Sequence, residues 1–315
     1  MENRRLGRTG LSIAPLVFGG NVFGWTADRK TSFDLLDRFV DAGLNAIDTA
    51  DVYSRWVPGH AGGESETIIG EWVRSRSARD KVTIITKVGG DMGQGKKDLS
   101  AAYIAKAVDA SLKRLQIEAI DLYLSHWPDP DTPYEETLGA YEHLFKAGKI
   151  KSIGASNLDA EQLRAALDVS KTNGLPRYDV LQPEYNLYDR KSYDGPLRDL
   201  CMAEDIGVIT YFSLARGFLS GKYRSEADLG KSPRGGGIKD YLNPRGYGIL
   251  AALDAVAARH NVNQAEVALA WIIRRQGVTA PIASATSLEQ LESLIKAASL
   301  ELGKDDIAEL DKASA

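Results

Sequence analysis

Residues 45–53 read NAIDTADVY. Ala46, Ile47, Ala50 and Val52 are the small or apolar members expected of a short buried strand. Yet the stretch also carries Asp48 and Asp51 and ends in Tyr53. Charged side chains are rarely fully buried unless paired, so this strand has polar partners at one end. Directly downstream, ESETIIGEWVRSR has helical periodicity. A buried strand that becomes polar at its C-terminal end and then gives way to a helix is one βα unit.

The unit recurs along the chain. Strand-like runs lie at 16–21 (LVFGGN), 81–90 (KVTIITKVGG), 119–127 (AIDLYLSHW), 149–157 (KIKSIGASN), 178–186 (YDVLQPEYN), 207–215 (GVITYFSLA) and 278–284 (VTAPIAS). Helical patterns follow them, among them TSFDLLDRFVDAG, closed by Gly43, and AAYIAKAVDASLKRL, with Ser100 as N-cap. With residues 45–53 the runs number eight, which predicts an α/β fold of the (β/α)8 TIM-barrel type as one domain over residues 1–315. RLGRTGLSIAP, with turn signals at 8–10, predicts an N-terminal β-hairpin, and KDDIAELDKA an extra C-terminal helix. A Gly-rich, basic stretch at 216–246 interrupts the alternation. An open dinucleotide-binding sheet is the competing fold, but FGGNVFG lacks its G-x-G-x-x-G spacing.

Composition narrows the function. No segment approaches the ~18 uninterrupted apolar residues of a membrane span, and no apolar leader follows MENRRLGRTG. A net charge of −4 gives no reason to expect a nucleic-acid partner. One cysteine, Cys201, excludes an internal disulfide and suits a reducing, cytoplasmic setting. Four histidines make a metal site of several His and Cys ligands an unlikely design, so no metal is expected.

In barrels of this type, function collects at the C-terminal ends of the strands. This chain puts Asp48, Asp51 and Tyr53 there on the second run, Lys87 on the third and Ser125 with His126 on the fourth. Ser156 and Asn157 follow on the fifth, Gln182 on the sixth, and Tyr211 with Ser213 on the seventh. Singly, each has a structural explanation; jointly, they suggest chemistry. An ordinary tyrosine titrates near ~10, too high for efficient proton donation at neutral pH. A nearby ammonium such as Lys87 stabilises the phenolate, and Asp48 can pair with that ammonium. His126 can orient a carbonyl oxygen beside the tyrosine hydroxyl. The group suits reduction of a C=O bond, and since no side chain supplies hydride, a nicotinamide cofactor is implied.

The ordered motifs IDTADVY, GGESETIIGEWV, ITKVG, DLYLSHWPDP, GKIKSIGASN, VLQPEYN, TYFSLARGFLSGKY and IASATSLEQLE resemble those of the aldo-keto reductases. The likeness is to the bacterial branch related to potassium-channel β-subunits, and it spans nearly the whole chain. It implies a barrel binding NADPH, or less often NADH, with a small carbonyl or alcohol substrate. Carried onto this chain, it makes Tyr53 the general acid, Lys87 and Asp48 its tuning pair, and His126 the substrate-orienting group. It places Ser156, Asn157 and Gln182 on the carboxamide and Tyr211 against the nicotinamide ring. Phe212, Ser213, Leu214, Gly217 and Lys222 fall in the segment covering the pyrophosphate. Gly20 and Asn21 fall near the nicotinamide ribose, and Ser284, Thr286 and Gln290 at the adenosine end. Asp51 lies outside this set and is read as a helper at the strand end, with hydrogen bonding to the following loop as the alternative.

Two departures stand out. Where relatives that bind a 2′-phosphate carry arginine, this chain has Gln290 among Glu289 and Glu292, with Lys296 about one turn beyond. That predicts relaxed or dual use of NADP(H) and NAD(H). The loop after Tyr53 is also long and holds Arg55, Trp56 and His60. Trp56, with Trp127 beside His126, is expected to form a substrate-contacting lip, and Arg55 to attract an anionic group; packing of the loop on its own tryptophan is the alternative. Two further readings stay open: a cofactor-binding regulatory subunit on the same scaffold, and association into homo-oligomers.

Overall fold

The computed structural model describes residues 2–232 and 235–315. A short hairpin, β1 (Arg4–Arg5) and β2 (Ser12–Ile13), precedes the barrel. The barrel strands are β3 (Val17–Gly19), β4 (Ala46–Asp48), β5 (Thr83–Val88), β6 (Leu122–Ser125), β7 (Ile153–Ser156), β8 (Val180–Gln182), β9 (Gly207–Thr210) and β10 (Ala280–Ala283). They run parallel in chain order, and β10 closes the barrel by pairing with both β3 and β9. The expected (β/α)8 barrel with its N-terminal hairpin is therefore the fold.

Helices α1 (Arg29–Asp41), α2 (Glu64–Arg76), α3 (Ala101–Leu115), α4 (Tyr134–Lys146), α5 (Ala160–Asn173) and α6 (Pro196–Ala203) cross between successive strands. After β9 the described residues make three short 3-10 segments before α7 (Pro244–His260) and α8 (Gln264–Ile273). Helices α9 (Leu288–Ser299) and α10 (Lys304–Ala313) follow β10. Side-chain caps set several starts: Asp28 on α1, Ser100 on α3, and a reciprocal box of Asp159 and Gln162 on α5. Gly43 takes a left-handed φ of 81° just past α1, as a helix-ending glycine should.

Two apolar cores meet at the barrel wall. The larger lies between strands and helices. The smaller fills the barrel and includes Val17, Ala46, Ile85, Leu124, Val180, Ile209 and Ile282, with Leu6 and Ile13 of the hairpin plugging its N-terminal end. Gly7 allows that plug: a Cβ there would stand 2.4 Å from both the Asp179 carbonyl oxygen and the Gly207 nitrogen.

This inner layer positions the site. Strand side chains alternate with period two, so the residue two positions after each interior aliphatic also faces inward, one layer nearer the C-terminal mouth. Those residues are Gly19, Asp48, Lys87, His126, Gln182, Tyr211 and Ser284. On β7, Gly154 replaces the aliphatic, because a Cβ there would meet Leu124 at 2.6 Å and the Val180 carbonyl at 2.4 Å; Ser156 lies two residues on.

Candidate active site

Lys87 is at the centre of the mouth and fully buried. Its Nζ donates to Asp48 Oδ2 at 2.7 Å, to the Thr49 carbonyl at 2.7 Å and to the Tyr53 hydroxyl at 2.8 Å. Tyr53 in turn donates to Asp48 Oδ2 at 3.3 Å, and Gln182 Nε2 donates to Asp48 Oδ1 at 2.8 Å. Burial lowers the lysine pKa from its ordinary value, while Asp48 acts in the opposite direction. An ammonium against a phenol oxygen favours the phenolate left after proton donation.

His126 follows β6, its backbone N–H bound to the Val88 carbonyl. Its ring centroid is 6.0 Å from that of Tyr53. Burial, reinforced by the charges of Lys87 and Lys97, holds its pKa well below the usual histidine range. The imidazole is therefore neutral, and an N–H can point at a carbonyl oxygen without a second cation entering the site. Its Nδ1 is buried and has no hydrogen-bond partner among the described residues.

These residues open into a cavity of about 1430 Å³ that runs from Trp56 and Trp127 across the barrel mouth to Gln290 and Lys296. Asn157, Tyr211 and Ser156 form one side of it. Tyr211 donates to Asn157 Oδ1 at 2.6 Å, and Asn157 Nδ2 donates to the His126 carbonyl at 2.9 Å. Ser156 donates to the Gln182 carbonyl at 2.7 Å. The aromatic wall and the amide-bearing wall are thus locked to His126.

After β9, Phe212, Ala215, Arg216 and Gly217 all have positive φ. Such left-handed turns gather backbone N–H groups into a concavity suited to an anion. Phe212, Ser213, Leu214, Gly217 and Lys222 line this part of the cavity. On the opposite seam, Ser284 donates to Asn21 at 2.7 Å, and a Cβ on Gly19 would come within 2.5 Å of that hydroxyl. Gly19, rather than the expected Gly20, faces the cavity; a Cβ on Gly20 would instead press on the Asp48 carbonyl at 3.0 Å.

At the far end the Thr286 backbone N–H and hydroxyl both donate to Gln290 Oε1, at 2.9 and 3.1 Å. Arg38 grips Glu292 with two hydrogen bonds, which removes much of that carboxylate's repulsion for an incoming phosphate. Lys231 and Lys296 also line the cavity.

The lip is aromatic. Trp56 stands 48% exposed, edge-on to Trp25 with ring centroids 5.6 Å apart and at 6.0 Å from Tyr53. Trp127 stacks on His126 at 5.4 Å, under the Lys97 ammonium. Arg55 turns its Nε to the Asp91 carbonyl at 3.0 Å, and neither Arg55 nor His60 lines the cavity. The Asp51 carboxyl makes no hydrogen bond to the following loop, so the loop-bonding alternative does not hold.

Among the described residues, no group of three or more His, Cys, Asp or Glu could hold a metal ion. No helix of the described chain is long and apolar enough to cross a membrane.

The family model of the aldo/keto reductases matches residues 15–315. The chain belongs to the aldo/keto reductase family. Among its relatives within that family is the aldo-keto reductase YhdN of Bacillus subtilis, 32% identical over 97% of this chain and 91% of the relative. The protein tas of Escherichia coli is 29% identical over 99% and 97% of the two chains. A probable voltage-gated potassium channel subunit beta of rice, Oryza sativa, is 32% identical over 94% and 91%.

As an aldo/keto reductase, the chain has several cavity residues that its motifs do not single out: Thr26, Val52, Glu184, Arg216 and Lys231. Arg216 places its guanidinium carbon 4.9 Å from the centroid of the Phe212 ring. Gly19 was findable by its spacing from Val17. Trp25 was not, since its partner Trp56 comes from a different loop.

Proposed function

We propose that this protein is an NAD(P)(H)-dependent oxidoreductase that interconverts an aldehyde or ketone with the corresponding alcohol, with Tyr53 as proton donor and acceptor. The observation that carries the reading is the contact of the Tyr53 hydroxyl with the buried Lys87 ammonium at 2.8 Å, under a neutral His126. Membership of a family of oxidoreductases and the names of relatives such as YhdN support it.

The cavity fits an extended dinucleotide. It joins a polar wall suited to a carboxamide, an aromatic wall suited to a flat ring, a left-handed backbone concavity suited to a pyrophosphate, and Lys296 at the far end. Ser156, Asn157, Gln182 and Tyr211 would hold the nicotinamide; Leu214, Gly217 and Lys222 the pyrophosphate; and Ser284, Thr286, Gln290 and Lys296 the adenosine. When bound, the nicotinamide supplies the hydride.

The chain's own residues do the rest. His126 directs the carbonyl oxygen toward Tyr53. Tyr53 gives that oxygen its proton, and Lys87 stabilises the resulting phenolate. Asp48, held from both sides by Lys87 and Gln182, keeps the ammonium on the phenol. Trp56 and Trp127 cover the substrate from water. NADP(H) is the cofactor expected of the family, and the lack of an arginine beside Ser284–Gln290 argues for dual use with NAD(H).

Tyr53→Phe tests the assignment. Loss of reduction by about 10²-fold or more, with fluorescence titrations by NADPH and NADH unchanged, is the expected result. Retention of most turnover removes Tyr53 as the acid, and failure of the parent protein to bind either dinucleotide removes the oxidoreductase reading.

A further inference from the structure

Two buried acids, Asp51 and Glu66, lie beside the site without a part in the proton transfer. Asp51 lies three residues past Asp48, and its backbone N–H donates to the Lys87 carbonyl at 3.3 Å. Its side chain is buried, and both carboxyl oxygens lie out of solvent without a hydrogen-bond partner among the described residues.

The neighbouring acids are treated differently. Asp48 receives Lys87 and Gln182. Glu66, equally buried, receives the Thr86 hydroxyl at 2.6 Å and Arg114 Nε at 2.7 Å. A bare carboxylate in such a place is untenable, because burial without compensating hydrogen bonds costs far more than taking up a proton. The groups around Asp51 are Lys87 on β5, Glu66 on α2, Arg114 and Tyr103 on α3, Tyr123 on β6 and Tyr141 on α4. The Tyr123 hydroxyl is likewise buried without a partner.

We propose that Asp51 is a positioning residue for the proton transfer: held as an uncharged acid near Lys87, it leaves the lysine charge directed at Asp48 and Tyr53, and its ionisation weakens Tyr53 as a donor. This rests on the assignment of Tyr53 as the acid. Burial raises the Asp51 carboxyl to about 8, the Glu66 charge pushes the same way, and Arg114, the adjacent Val52 backbone N–H and, least, Lys87 pull against them. Below that pH the group is neutral. Above it, its proton goes to solvent, and the new negative charge opposes formation of the Tyr53 phenolate.

The test uses the whole protein labelled with ¹³C-carboxyl aspartate, together with Asp51→Asn and Asp51→Ser. The resonance missing from either variant is that of Asp51. It is expected to titrate with a midpoint near 8 in the parent. The parent's kcat for reduction should fall by about three- to tenfold more between pH 7 and pH 9 than that of Asp51→Asn. A resonance that titrates in the ordinary carboxylate range overturns the proposal, and does so whether or not the protein reduces any carbonyl. A resonance that behaves as expected, with the same pH 9 to pH 7 ratio of kcat in parent and variant, overturns the positioning role alone.

Discussion

Gln182 on β8 reaches across the barrel mouth to donate to Oδ1 of Asp48 on β4 at 2.8 Å, leaving Oδ2 to Lys87 at 2.7 Å. The carboxylate is thus held by two strands and paired with a lysine that sees no solvent. Removing one member of a buried pair strands the other, which costs about 3–5 kcal/mol. Lys87→Met should therefore destabilise the fold by that order, and Lys87→Met combined with Asp48→Asn should recover much of the loss without restoring turnover. Urea unfolding of the parent and the two variants measures this. If the double variant were no more stable than Lys87→Met, stranded charge would not be the cause.

The Trp25–Trp56 edge contact fixes the lip over Tyr53. Trp56→Ala removes both the exposed ring and the partner that Trp25 braces. The expected effect is a rise in KM for bulky apolar carbonyl substrates of about tenfold, with small aldehydes little changed, since loss of apolar contact of this size corresponds to roughly 1–3 kcal/mol. Steady-state kinetics on a graded series of aldehydes decides the matter, and unchanged KM values throughout would mean that the loop merely packs on its own tryptophan.

Asp51 also links stability to pH. Its carboxyl holds a proton up to about 8 in the folded chain, against an ordinary value of 3.8. Between those values the native state binds more protons than the unfolded one, so this group's contribution to stability falls as pH rises through the window and levels off above it. Asp51→Asn removes the penalty. Its stability relative to the parent should grow by on the order of 5 kcal/mol from pH 4 to pH 8, measured by urea unfolding at both ends. A difference that does not change with pH would mean the carboxyl is ionised throughout.

Much of this was legible in the sequence because period-two alternation carries both fold and site. Ala46 and Asp48, Ile85 and Lys87, and Val180 and Gln182 each place an aliphatic in the barrel and a polar group one layer above it. What alternation cannot reach is anything decided between loops. Trp25 meets Trp56 only because residues 20–28 fold back on residues 54–61, and Arg55 spends its Nε on a carbonyl of yet another loop. The solitude of Asp51 is a packing fact as well: in sequence it sits beside a tyrosine pattern that equally suits a hydrogen-bonded turn. The choice of Gly19 over Gly20 at the cavity follows from strand parity, a finer distinction than a motif match makes.

Cofactor choice would be decided at the Thr286–Gln290 end of the cavity. Thr286 spends its N–H and hydroxyl on Gln290, and Glu292 is engaged by Arg38, so Lys296 is the cavity lysine on this helix, while Lys231 is spent on Asp228 and the Lys222 carbonyl. A lysine attracts a 2′-phosphate as a point charge, whereas a guanidinium binds it as a two-pronged donor. Gln290→Arg should therefore tighten NADPH by about tenfold and leave NADH nearly unchanged, while Lys296→Glu should weaken NADPH alone. Paired fluorescence titrations of each variant read the ratio. If the parent already prefers NADPH by more than about a hundredfold, roughly 2.7 kcal/mol, Lys296 and the Ser284–Thr286–Gln290 group suffice for the phosphate, and dual cofactor use is ruled out.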